Sequence, residues 1–204
     1  MSEVNMWQYE QRYFQQGLKL VCGVDEAGRG PLAGPVCAAA VILPPNLDLS
    51  GLDDSKKLSD KRRRELFPKI KELAVAYAVV FVDEKKIDEI NILQATMVAM
   101  QSAVAQLSVK PEIVLVDGNR APALEVPVET IVHGDSLSAS IAAASVLAKV
   151  SRDDFMLEMA EKYPEYGFDV HKGYGTKVHY AALQEHGPCQ IHRITFLKKF
   201  YGTE

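Results

Sequence analysis

The chain has 204 residues, 48% hydrophobic and 25% charged, with a formal net charge of −4 at pH 7. That length fits one domain able to bury a core without staples, and the composition excludes disordered, collagen-like and coiled-coil classes. A mildly acidic balance argues against holding nucleic acid by bulk charge alone. Basic residues do cluster, at Lys56, Lys57 and Lys61 to Arg64.

Cys22, Cys37 and Cys189 are odd in number and widely spaced, with no C-x-x-C pair. They indicate neither a zinc site nor a disulfide framework, and reduced thiols of a cytoplasmic protein are expected. Met1 to Leu18 is polar and lacks the apolar core of a secretory signal. The most apolar stretch, Ile131 to Val150, is interrupted by His133, Asp135 and serines. It reads as a buried helix, so no membrane partner is expected.

In chain order, Trp7, Tyr9, Tyr13 and Phe14 fit a small amphipathic helix in an N-terminal extension, residues 1–19, with no assigned role. Residues 20–25 read as a short buried strand, and Val36 to Leu43 as its hairpin neighbour. Ser59 can cap a helix running to Leu73, which Pro68 is expected to break or kink. Val75 to Val82 is a third strand. A short helix over Asp83 to Ile90 and a longer one over Ile92 to Leu107 follow. Glu112 to Val116 is an apolar strand ending on Asp117-Gly118-Asn119, and Val126 to Val132 a further short strand. A long helix is expected from Asp135 to about Lys162, small-residue-rich in its first half and so suited to close packing. From Tyr163 the chain turns aromatic, Gly- and His-rich, with helices over Val178 to His186 and Ile194 to Phe200. This order implies an α/β fold with a mixed central sheet flanked by helices.

The run Gly23-Val24-Asp25-Glu26-Ala27-Gly28-Arg29-Gly30-Pro31 carries the chemistry. Neighbouring strand residues point to opposite faces, so Asp25 and Glu26 can share one site only if the backbone breaks there. The glycines supply such a break and let main-chain N–H groups approach a phosphate or sugar. Asp117 ends a second apolar strand, and ligands of open α/β sheets bind beyond strand carboxyl ends. Asp135 opens the long helix. Asp117-Gly118 is also an ordinary turn dipeptide, and Asp135 an ordinary N-cap; their conjunction with Asp25 and Glu26 points to a site. Like charges drawn together need a cation, and oxygen-only ligands suit magnesium or manganese. Two such ions clamp a phosphodiester without a protein nucleophile. Asp153 and Asp154, competing acids, lie roughly 27 Å down the helix from Asp135. Ser138, Ser145, Lys149 and Arg152 share one helix face that could bind a backbone phosphate.

These segments, in order, resemble the bacterial ribonuclease HII family. Besides the first motif they are Asp54-Ser55-Lys56-Lys57-Leu58-Ser59, Val116 to Asn119, Gly134-Asp135-Ser136 with Ile141 to Asp153, Tyr166-Gly167-Phe168, His171-Lys172-Gly173-Tyr174-Gly175-Thr176, and His192 to Phe196. The resemblance spans roughly residues 20 to 197 and implies a ribonuclease H-like fold, one catalytic domain over 20–204 with its helical C-terminal segment from about 163 included. It implies cleavage of the RNA strand of RNA–DNA hybrids, and cutting 5′ of a single ribonucleotide in a DNA–RNA–DNA duplex. The ends would be 3′-hydroxyl and 5′-phosphate, in primer removal and ribonucleotide repair. Asp25, Glu26, Asp117 and Asp135 would hold magnesium or manganese. Gly28, Arg29 and Gly30 would contact the ribose 2′-hydroxyl, Tyr174 would stack beside it, and Lys57, Lys149, Arg152 and Arg193 would hold phosphates. A monomer suffices. The tail Ile194 to Tyr201 has only a faint likeness to sliding-clamp-binding tails, since the leading glutamine is missing, and helix packing is the expected role. Two alternatives stay open: a related DNA nuclease, which would not need Gly-Arg-Gly or Tyr174, and a non-catalytic hybrid-binding module, which an intact carboxylate set disfavours.

Overall fold

The computed structural model describes residues 5–202 except 50, 53, 54 and 56. Asp54 and Lys56 of the Asp-Ser-Lys-Lys segment therefore lie outside the described residues. The apolar runs form strands β1 (Val21–Ala27), β2 (Val36–Ile42), β3 (Ala76–Val82), β4 (Ile113–Asp117) and β5 (Val128–Ile131) in one sheet, ordered β3-β2-β1-β4-β5. β1 and β3 pair antiparallel with β2, while β1–β4 and β4–β5 are parallel. The expected strands match these to within two residues at either end.

Period-two alternation divides the strands between two faces. Cys22, Val24, Ala38, Ala40, Val114 and Val116 pack beneath helix α3 (Glu84–Ala105), against Ala95, Ala99, Met100 and Ala103. Val21, Cys37, Ala39, Val41, Ile113 and Leu115 face helix α4 (Ala139–Lys162). There a Cβ on Gly23 would sit 2.1 Å from the Ser140 carbonyl carbon, so strand and helix backbones touch. The expected interruption between two helices falls inside α3 at Asn91, with φ 67° and ψ 163°. Asp83 Oδ1 caps the first half by accepting from Lys86 N (2.8 Å), and Asn91 Oδ1 recaps the second by accepting from Gln94 N (3.1 Å).

Two expectations are corrected. Helix α2 (Asp60–Leu73), capped by Ser59 as expected, runs unbroken through Pro68. Leu66 and Ile70, on either side of the proline, are fully buried and hold the helix down. Helix α4 begins at Ala139 rather than Asp135. Ser138 takes an extended backbone (φ −131°, ψ 125°) and caps the helix by accepting from Ile141 N, while Gly134–Ser136 forms a separate 3-10 turn.

Helix α1 (Gln8–Gln15) is the expected amphipathic segment, and it is tied into the fold. Tyr9, Tyr13 and Phe14 pack on the core beneath β1 and β4. Glu10 Oε1 accepts from Ser138 Oγ (2.5 Å) and Ser140 N (2.9 Å), and Ala139 N donates to the Met6 carbonyl (2.7 Å). With the Ser138 cap, the first three N–H groups of α4 are thereby satisfied. The C-terminal segment carries α5 (Phe168–His171), α6 (Lys177–His186) and α7 (Ile194–Tyr201) around Tyr166, Phe168, Leu183 and Leu197. Among the described residues, no helix is long and apolar enough to cross a membrane.

Candidate active site

Parallel pairing of β1 with β4 puts Val24 opposite Val116, so Asp25 and Asp117 emerge side by side at two carboxyl strand ends. Both continue the α4-facing series of their strands. Asp135 reaches the same point from the 3-10 turn, whose Gly134 N donates to Asp117 Oδ1 at 2.7 Å. One carboxylate oxygen from each of Asp25, Asp117 and Asp135 lies within 4.8 Å of the others. Asp25 and Asp135 are buried.

Glu26 departs from the expectation. β1 continues to Ala27 without the anticipated break, so Glu26 faces the α3 side, with Arg29 Nη1 3.4 Å from its Oε1. It is not among the three clustered acids. The hollow instead wraps the strand end. A cleft of about 410 Å³ on the α4 side holds Asp25, Gly28, Gly30, Lys149 and Tyr174. A recess of about 260 Å³ on the α3 side holds Met97, Asn119 and Arg120. Glu26, Arg29 and Asp117 line both.

Burial pushes the Asp25 carboxyl well above the usual carboxylate range, and the charges of Glu26 and Asp117 push it further. Hydrogen bonds from Glu26 N (2.7 Å) and the Ser145 hydroxyl only partly offset this. A buried carboxylate repelled by two others is the situation a divalent cation relieves, and the all-oxygen donor set suits a hard ion. Asp25, Asp117 and Asp135 thus fit a divalent metal. Asp153 and Asp154 stay outside, paired with Lys149 and Arg64, each at 2.7 Å.

The Gly28–Gly34 turn and the Tyr174 loop form the opposite wall. Gly28 has φ +93°, and a Cβ there would lie 2.1 Å from Arg152 Nε. Arg152 and Arg193 are fully buried. Arg193 donates to the carbonyls of Gly34 (2.9 Å), Arg29 (2.9 Å) and Gly28 (2.6 Å). Arg152 donates to those of Pro35 (3.3 Å), Ala33 (3.2 Å) and Lys172 (3.0 Å). Burial, then the charge of Arg152, pulls Arg193 down to about 9, still protonated at neutral pH. Tyr174, 45% exposed, lies with its ring 5.9 Å from the Arg152 guanidinium.

The residues expected to hold phosphates divide. Lys57 is exposed and donates to Ser136 Oγ at 2.8 Å, beside Asp135. Lys149 lines the cleft, its side chain 24% exposed. Arg152 and Arg193 differ from the expectation, because their donors are taken up by the main chain of the cleft wall. Ser138 and Ser145 differ as well. Ser138 is a buried helix cap, and Ser145 bonds Ser55 Oγ (2.5 Å) beneath Asp25. Helical spacing had put these residues on one face, but that face is covered. Ser55 and Asn119 also line the hollow, from segments that carried the resemblance without a role of their own, and Arg120 lines it with no local pattern to mark it.

The ribonuclease HII family model matches residues 22–199. The ribonuclease HII of Caldicellulosiruptor bescii is 53% identical over 197 residues, covering 97% of this chain and 96% of its own. Among solved structures, the ribonuclease H2 from Pyrococcus horikoshii superposes with a TM-score of 0.74 at 27% identity, over 90% of this chain and 96% of that one. The ribonuclease HII of Archaeoglobus fulgidus, solved in complex with PCNA, gives a TM-score of 0.70 at 25% identity, over 87% of this chain and 93% of that one. On this sheet order, this carboxylate cluster and this extent of similarity, the chain belongs to the ribonuclease HII family, divalent-metal-dependent endonucleases that act on RNA–DNA hybrids.

Proposed function

We propose that this enzyme cuts 5′ of a ribonucleotide joined to DNA, leaving 3′-hydroxyl and 5′-phosphate ends, as well as the RNA strand of longer hybrids. One observation carries the reading: Asp25 and Asp117 line one cleft with the Gly28-Arg29-Gly30 turn and Tyr174, and Asp135 brings a carboxylate oxygen within 4.8 Å of theirs. Asp25, Asp117 and Asp135 hold magnesium or manganese, and Glu26 joins them from the α3 side of the strand end. The bound metal supplies an activated water and stabilises the leaving oxygen. Burial and the neighbouring charges disfavour the ionised form of Asp25, and a divalent cation held there would offset that. Gly28 and Gly30 let main-chain groups approach the sugar, whose 2′-hydroxyl both donates and accepts. Tyr174 stacks beside it, and Arg29, Lys57 and Lys149 hold flanking phosphates, which position the duplex without reading sequence.

The site is complete in one chain, so the enzyme acts as a monomer, and its free thiols suit the cytoplasm. Primer removal and excision of misincorporated ribonucleotides are the roles this chemistry serves. Phe196, Leu197 and Phe200 are packed into the C-terminal core, which favours a structural part for α7 over clamp binding.

Cleavage of a labelled DNA duplex carrying one ribonucleotide, beside all-DNA and long-hybrid controls, tests the reading. A metal-dependent cut immediately 5′ of the ribonucleotide is expected. Tyr174→Ala should weaken that cut more than it weakens cleavage of long hybrids. Cutting of the all-DNA control, or equal losses in the variant, would overturn the assignment.

A further inference from the structure

Behind Tyr174 lie three buried histidines, His171, His179 and His192, that the reading above does not use. His171 stacks on His179 at 4.6 Å between ring centroids, with Phe168 edge-on to both. Their hydrogen bonds fix where each hydrogen sits. Gly173 N donates to His171 Nδ1 (3.2 Å), so His171 carries its hydrogen on Nε2 and donates it to the Tyr166 carbonyl (2.8 Å). The Tyr174 carbonyl can only accept, so His179 donates to it from Nδ1 (2.9 Å) and keeps Nε2 bare. Cys189 N donates to His192 Nδ1 (2.9 Å), so His192 carries its hydrogen on Nε2. That hydrogen points at the bare Nε2 of His179, 2.9 Å away. The Cys189 carbonyl lies farther from His192 Nδ1 (3.3 Å) than the Cys189 N–H does, and three neutral rings with one tautomer each satisfy the closer contacts throughout.

His192 is followed by Arg193, the residue that holds the carbonyls of Gly28, Arg29 and Gly34. The backbone of His192 also bridges Ala33, and Leu32 N donates to the Gly173 carbonyl (2.8 Å). One dipeptide therefore reaches both loops of that wall. Arg193 grips the Gly-Arg-Gly turn, and His192 grips the Tyr174 loop through His179. We propose that His179 and His192 are positioning residues for ribonucleotide recognition: with Arg193 they lock the Gly28–Gly30 turn and Tyr174 into one rigid reader of the 2′-hydroxyl. The proposal rests on the role given to Tyr174 above. Two loops far apart in sequence, each free to move alone, would otherwise meet the sugar in variable register, and discrimination at one hydroxyl needs both at fixed distance.

Two experiments test it. In wild-type enzyme with 15N-labelled histidine, long-range nitrogen–proton correlation spectra at neutral pH should show His179 as the Nδ1–H tautomer and His171 and His192 as Nε2–H. An Nε2–H ring at 179 would overturn the strut without any variant being made. The second measurement is the ratio of single-ribonucleotide to long-hybrid kcat/KM in His192→Asn. Its Oδ1 can still accept from Cys189 N, but the hydrogen to His179 is gone. The ratio should fall about tenfold, the scale of one lost hydrogen bond, in the same direction as in Tyr174→Ala. If Tyr174→Ala leaves the ratio unchanged, the role given to Tyr174 fails. If Tyr174→Ala lowers it and His192→Asn does not, or slows both substrates equally, the strut fails while that role stands.

Discussion

The two walls of the cleft are held by opposite means. On the carboxylate wall, Asp25, Asp117 and Asp135 are fixed by strand ends and a 3-10 turn, and the repulsion on Asp25 is only partly offset by its hydrogen bonds. On the reading wall, two buried arginines donate to six main-chain carbonyls, and the imidazoles behind Tyr174 are fully paired. One wall is finished only when a cation arrives, whereas the other is finished in the free protein. Charge is therefore kept unsatisfied where chemistry needs it and satisfied where only shape is needed.

Asp25→Asn breaks the contrast most severely. It should cut turnover by about a thousandfold or more, the scale seen when a metal-dependent centre loses a ligand, while hybrid binding persists. It should also raise the melting temperature of the metal-free protein by relieving repulsion, and blunt the rise that manganese gives the wild type. A metal-free Asp25→Asn protein less stable than wild type would show the acids are not in conflict. Next comes Arg193→Met, which strands three buried carbonyls and should cost about 3 kcal/mol in urea unfolding. A cost below about 1 kcal/mol would mean water takes over those carbonyls and the reading wall needs no buried cation. The glycines sharpen the comparison further. Gly28 (φ +93°) is crowded by Arg152, while Gly118 (φ +96°), beside Asp117, has nothing within 4 Å of an added Cβ. Gly118→Ala should cost about 1 kcal/mol from backbone strain alone, and Gly28→Ala roughly 2–3 kcal/mol. Equal costs would mean Arg152 moves freely.

The last effect is a pH dependence. Burial, then the neighbouring His179, lowers the His192 imidazole from 6.5 to about 4, and burial lowers His179 too. The unfolded chain takes up these protons near its ordinary pKa, while in the folded chain His192 resists until near pH 4. Stability from the neutral rings is thus complete above about pH 6.5 and is lost as pH falls towards about 4. For His192 alone that loss is on the order of 3 kcal/mol. Urea midpoints between pH 7 and pH 4 should flatten in His192→Asn; an unchanged slope would place the acid sensitivity elsewhere.

Much of this was legible in the sequence because it is local. The five strands follow from apolar runs, Ser59 from its place before a helix, and the break between Ile90 and Ile92 from the change of pattern there. Asp25 and Asp117 were found because both end apolar strands. What was hidden depends on distant partners. Helical spacing showed that Ser138, Ser145 and Arg152 share a face, but not that β1 and the cleft wall cover it. Asp135 reads as the helix cap in the sequence, whereas Ser138, held by Glu10, caps the helix in the fold. Arg193 finds its carbonyls 159 to 165 residues upstream. The three histidines, each unremarkable alone, acquire meaning only when folded into contact.

The clasp of α1 on α4 carries a consequence for the newborn chain. Glu10 meets Ser138 and Ser140 across 128 and 130 residues. At about 5–20 residues per second, the ribosome takes on the order of ten seconds to deliver that partner. The first helix to be made is thus among the last to dock. Until it does, the Ala139 and Ser140 N–H groups at the start of α4 lack their acceptors. Catalytic competence should appear only after the beginning of the polypeptide has returned to its middle.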